Sequence, residues 1–239
     1  MPAAGKLMLR GDAKAPLAIG ARPIGAAELL VSVTPSRPVA APPVVEVSVT
    51  GERQAKTFST KADPGSGSYV VTIPVEVGEL LMLVGRGKAS GDGAPLVAMA
   101  RINTTLIDPK ETVMAFSANG QLSLMVPPGA LPPGSWLAFG PADVAPPPDR
   151  IFVREPQRIA ANSGSDKLAK PVDLHIVLPD PQEGGAHPKF DPATARIERF
   201  DPERNQWEPQ PSQPEDVPLA GGFFLETDRL GIYAVTARR

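Results

Sequence analysis

Hydrophobic and polar positions along this chain alternate in short runs, each cut off by proline or glycine. Leu29-Leu-Val-Ser-Val-Thr34 ends at Pro35, Val44-Val-Glu-Val-Ser-Val-Thr50 ends at Gly51, and Ser68-Tyr-Val-Val-Thr-Ile73 ends at Pro74. Alternation with a period of two places neighbouring side chains on opposite faces of an extended backbone, so these runs predict half-buried strands. Lys56-Thr-Phe-Ser-Thr60, Leu80-Leu-Met-Leu-Val84 and Leu96 to Ile107 continue the series, with the turn Asp63-Pro-Gly-Ser-Gly67 and a glycine-rich hairpin region, Gly85 to Gly93, between them. The first hundred residues thus predict six or seven strands, the complement of an immunoglobulin-like sandwich.

A second series follows Asp108-Pro-Lys-Glu111. Thr112 to Phe116 and Gln121 to Val126 flank Ala118-Asn-Gly120, a hairpin signal. Pro127-Pro-Gly-Ala-Leu-Pro-Pro-Gly134 excludes helix and central strand, Ser135 to Phe139 is again strand-like, and Pro141 to Pro148 is a proline-rich crossing. Val172 to Leu178, Ala195 to Phe200, Gly222 to Glu226 and Gly231 to Thr236 complete the pattern. The expected fold is all-β: two consecutive β-sandwich domains, residues 1–109 and 110–239, with no helix beyond about two turns.

Composition narrows the chemistry. Thirty prolines and 22 glycines in 239 residues rule out long helices, while 42% hydrophobic residues support a folded core. A net charge of −2 gives no electrostatic footprint for nucleic acid, and no apolar run is long enough for membrane insertion. With no cysteine there are no disulfides, thiol nucleophiles or thiolate metal sites. Met1 to Arg10 carries no secretory leader, so an extracytoplasmic, secreted or surface location requires a leader already removed; otherwise the location is cytoplasmic. Arginine exceeds lysine 15 to 9 amid abundant alanine, glycine and proline, as in proteins of GC-rich bacteria.

The stretch Asn119-Gly-Gln-Leu-Ser-Leu-Met-Val-Pro-Pro-Gly-Ala-Leu-Pro-Pro-Gly134, together with Lys170 to Ile176, Phe200 to Trp207 and Asp228 to Val235, resembles the sandwich domain shared by ankyrins, netrin receptors and zonula occludens proteins, a module also found in bacterial surface proteins. The resemblance implies an ankyrin/netrin-receptor-type sandwich acting in binding or scaffolding. Some relatives cleave themselves at a His-Phe-Ser step; the matching Thr227-Asp-Arg-Leu-Gly-Ile232 has neither the histidine nor the serine, so autoproteolysis does not carry over. Around Gly67 to Ile73 the first half resembles the immunoglobulin-like modules of bacterial extracellular proteins.

Candidate chemistry is sparse. His175 shares a strand face with Asp173, pointing away from Val172, Leu174, Ile176 and Leu178, and His187 lies in a Gly-rich loop; both are expected to be solvated. Asp201, Glu203 and Asn205 superficially match a calcium loop but lack its glycine and terminal glutamate, which favours a tight strand connection bonding its own backbone. Gly85 to Gly93 lacks the spacing of a phosphate-binding loop. Arg150, Arg154 and Arg158 are expected as scattered solvated charges. Phe116, Phe139, Phe200, Phe223 and Tyr233 are expected in the core.

Trp207 is the aromatic to watch. Counting by strand parity turns it toward the face of Asn205 and so toward solvent, where a bare ring could stack on a sugar; a structural indole would instead be packed, with its N–H on a carbonyl. The packed role is the one adopted, with Trp207, Asp201 and Asn205 as the weak ligand contacts if a ligand exists. The chain is therefore expected to be non-enzymatic, without metal or cofactor. It reads as a protein-interaction or structural spacer module whose partner is a protein, and a carbohydrate-binding or adhesin module that meets a glycan is the alternative.

Overall fold

A computed structural model describes residues 16–52, 54–179, 190–215 and 221–238; His187 and Met1 to Arg10 lie outside them. In the first half the strands are β1 (Leu17–Ile24), β2 (Glu28–Pro35), β3 (Val44–Val49), β4 (Lys56–Ser59), β5 (Lys61–Ala62), β6 (Tyr69–Pro74), β7 (Leu80–Lys88) and β8 (Pro95–Leu106). In the second they are β9 (Val113–Phe116), β10 (Leu122–Val126), β11 (Trp136–Pro141), β12 (Ile151–Phe152), β13 (Gln157–Ala161) and β14 (Lys167–Val177). After a single 3₁₀ turn (Pro192–Thr194) come β15 (Arg196–Asp201), β16 (Gln206–Pro209), β17 (Gln213–Glu215), β18 (Gly222–Arg229) and β19 (Gly231–Ala237). The protein is all-β, and no α-helix occurs among the described residues.

Three antiparallel sheets result. One is four-stranded (β1-β2-β6-β5), one five-stranded (β17-β18-β14-β10-β9), and the third runs β16-β15-β19-β13-β11-β8-β7-β3-β4 with β12 on β19. The first core lies between the four-stranded sheet and one half of the long sheet: Leu29, Val31 and Val33 of β2 meet Val45, Leu81, Leu83 and Ile102. The second lies between the five-stranded sheet and the other half, where Leu122, Leu124 and Leu174 meet Ile159, Ile197 and Val235.

The long sheet crosses the chain position at which the two halves were expected to divide. Residues 107–112 do connect β8 to β9, yet β8 pairs with β11, Leu137 opposite Thr105 and Phe139 opposite Asn103. Alternation then gives β11 two allegiances. Trp136 and Ala138 enter the first core, and Leu137 and Phe139 enter the second. The two cores therefore lie on opposite faces of one shared strand. The β1–β2 turn completes the junction: the Gly25 carbonyl accepts the Trp136 indole N–H at 3.3 Å and the Asn162 amide at 2.8 Å.

Two local expectations change. Gly85 to Lys88 continue β7 rather than forming a hairpin tip, because a side chain at 85 would crowd Ile19 of β1, and glycine lets the sheets close there. Phe116 is exposed, not core: β9 pairs with β10 so that Phe116 stands opposite Ser123 on the outer face while Ala115 points inward.

Candidate interaction surface

The β15–β16 hairpin holds all three residues singled out as possible ligand contacts, and it separates them. Asp201 Oδ1 accepts the backbone N–H groups of Glu203 at 2.9 Å and Arg204 at 3.3 Å, closing the turn. Asn205 takes φ of 53°, the left-handed conformation that a tight turn requires and asparagine tolerates. That turn breaks the alternation on which Trp207 had been placed with Asn205. Register instead sets Trp207 directly across from Phe200, on the sheet face opposite Asp201.

On that face Trp207 packs against Phe200 and Phe152, ring centroids 5.3 and 5.4 Å away, and its Nε1–H donates to the Ala145 carbonyl at 2.8 Å. Ala142, Val144 and Ile232 complete this satellite cluster. Trp207 thus pins the proline-rich crossing onto the sheet. Asp201 opens onto a polar cleft of about 500 Å³ at the mouth of the second sandwich. There Arg199 pairs with Glu208 at 3.3 Å, and Arg204 reaches Glu208 at 3.4 Å and Asp201 at 3.7 Å. No group of three or more metal-ligating side chains occurs among the described residues.

Arg150 departs from the expectation of a solvated charge. It is buried, donating from Nε to Thr236 Oγ1 at 2.7 Å and from its terminal nitrogen to the carbonyls of Thr236 and Thr194. The buried Glu198 accepts from Thr236 Oγ1 at 2.6 Å and binds Arg196 at 2.6 Å. This network ties β15 and β19 to the end of the proline-rich crossing through bonds made within the chain, a structural role.

Sequence reasoning missed the outer face of the five-stranded sheet. Of the seven large hydrophobic residues exposed among the described ones, four lie there: Met114, Phe116, Met125 and Phe224. Pairing arranges the face in two rows across the strands. One runs Phe116–Ser123–His175–Phe224 and the other Met114–Met125–Asp173–Glu226. His175 does point outward with Asp173, but its ring stacks on Phe224, centroids 4.6 Å apart and nearly parallel at 19°. Contiguous groups of exposed apolar side chains are uncommon on monomeric surfaces.

No family model matches the chain, and no curated protein matches it. Among solved structures it is similar to the cycloalternan-degrading enzyme from Trueperella pyogenes, at 10% identity and a TM-score of 0.30, over 90% of this chain and 31% of that one. It is also similar to that enzyme in complex with a covalent intermediate, at 9% identity and 0.32, over 90% and 34%. The chain spans about a third of the length of those proteins.

Proposed function

We propose that this chain is a non-enzymatic protein-interaction module of a bacterial secreted or surface-associated protein, an immunoglobulin-like sandwich followed by one of the ankyrin/netrin-receptor type. The observation that carries the reading is the aromatic and thioether face of the five-stranded sheet. Phe116 and Phe224 are 46% and 42% exposed although each sits in a paired strand. Flat, rigid rings supply contact area at little entropic cost, which suits a protein interface. The polar cleft beside Asp201 is lined by no aromatic ring, its Asp201 and Glu208 are paired with arginines, and Trp207 is engaged by its own chain.

Selection of displayed random 15-residue peptides tests this, run in parallel on the wild type and on Phe116→Ser/Phe224→Ser. Enrichment on the wild type that collapses on the variant is the expected result. Equal enrichment on both overturns the reading. A glycan-array signal that survives in that variant and disappears in Trp207→Ala would put carbohydrate binding in its place.

A further inference from the structure

The two rows of the exposed face differ in charge, and the difference specifies what can dock. Asp173 and Glu226 stand directly across from one another in the β14–β18 register, with Met125 opposite Asp173 on the other side. Like charges at directly opposed positions repel and destabilise a sheet. Here neither acid has an ion pair or hydrogen-bond partner among the described residues. By contrast Glu46, on another paired strand, is matched by Arg86 across β3–β7 at 2.9 Å. The pair is an exposed anionic notch at the end of an apolar row.

We infer that the partner is a polypeptide segment that lays apolar side chains over Met114, Phe116 and Met125 and inserts an arginine between Asp173 and Glu226. This rests on the interaction reading above and adds the chemistry of the partner. Opposed residues in an antiparallel pair lie about 5 Å apart at Cα, so one planar guanidinium with its fork of donors can reach both carboxylates. Its aliphatic stem would cross Met125 on the way. A second copy of this chain does not fit the same face. None of the positions in the two rows is lysine or arginine, so face-to-face pairing would bring four carboxylates together with only His175 to offset them.

Amide NMR on the full chain tests this with two acetylated heptapeptides, Leu-Arg-Leu-Arg-Leu-Arg-Leu and the same sequence with citrulline for arginine. Citrulline keeps the shape and removes the charge. The arginine peptide is expected to shift resonances of β9, β10, β14 and β18. The citrulline peptide, and the arginine peptide on Asp173→Asn/Glu226→Gln, are expected to bind at least about tenfold more weakly, the scale of a charge-assisted bidentate contact. Raising the salt concentration should weaken only the arginine peptide on the wild type. Equal binding of the two peptides, or unchanged binding by the acid-to-amide variant, overturns the arginine notch while leaving the apolar face as an interface. No shifts with either peptide overturn it as well. Binding that survives in Phe116→Ser/Phe224→Ser instead removes the interaction reading beneath it. All substituted positions are solvent-facing, and melting curves verify that each variant is folded.

Discussion

Trp207 holds the proline-rich crossing through one hydrogen bond and two ring contacts, and all three vanish on truncation. Trp207→Ala is expected to lower stability by at least about 1 kcal/mol, chiefly through lost packing against Phe152 and Phe200, read as a fall in denaturant midpoint. Tyr233 makes a second prediction. Its hydroxyl donates to the Arg229 carbonyl at 2.6 Å and lies 3.1 Å from Thr227 Oγ1, clamping the β18–β19 connection. Burial pushes this hydroxyl above the ordinary tyrosine value, with the Thr227 bond working the other way. The neutral form is therefore favoured in the folded protein. Its contribution is complete below about pH 10, where the unfolded chain begins to ionise, and is lost as pH rises toward the folded-state value. Tyr233→Phe should cost about 1 kcal/mol at neutral pH. It should also flatten the decline in melting temperature expected of the wild type as pH rises past about 10; an identical decline in both would disprove the assignment.

At the scale of elements, the buried network between β15, β19 and the proline-rich crossing has a sharp energetic signature. Arg150 and Glu198 have side chains 4% and 1% exposed, 3.9 Å apart across Thr236. Removing only the acid strands a buried guanidinium, so Glu198→Ala is expected to cost about 3–5 kcal/mol. Replacing both partners with apolar residues of similar size removes the stranded charge. Arg150→Met/Glu198→Met should accordingly recover most of that loss, since buried ion pairs are often nearly neutral against a hydrophobic substitute. Chemical denaturation of the single and double variants measures the coupling. A double variant worse than either single one would show that the network contributes net stability of its own.

At the scale of the molecule, the shared strand β11 makes each core depend on the other half of the chain. Trp136 is completely buried in the first core although it is encoded well past residue 109. Trp136→Ala is expected to cost about 3–5 kcal/mol as a large cavity forms. A fragment ending at 109 lacks that indole and leaves the β8 edge without its partner. It should melt lower than the intact chain and self-associate through the open edge, which scanning calorimetry and sedimentation would detect. A fragment as stable and monomeric as the whole would show that β11 is dispensable to the first core.

The sequence by itself determined the all-β class, because alternation and proline–glycine punctuation act locally. It also placed most strands, the Asn119-Gly120 hairpin and the Asp201 turn, each governed by bonds within a few residues. Strands such as β1 and β13 carried too little pattern: Leu17 to Ile24 includes glycine and proline, and Gln157 to Ala161 mixes polar with small apolar residues. The exposed apolar face of the five-stranded sheet was hidden for a related reason. In Val113-Met-Ala-Phe116 both parities are apolar, and the larger side chains suggested Phe116 for the core. Only the tertiary structure decided otherwise. Leu122, Leu124 and Val126 of β10 claim the interior, and the Ser117–Leu122 backbone bond at 2.8 Å locks a register that leaves Met114 and Phe116 outside. Which edges join is likewise a nonlocal choice: the pairing of β8 with β11 depends on shape and burial over thirty residues of intervening chain, and no short-range signal encodes it.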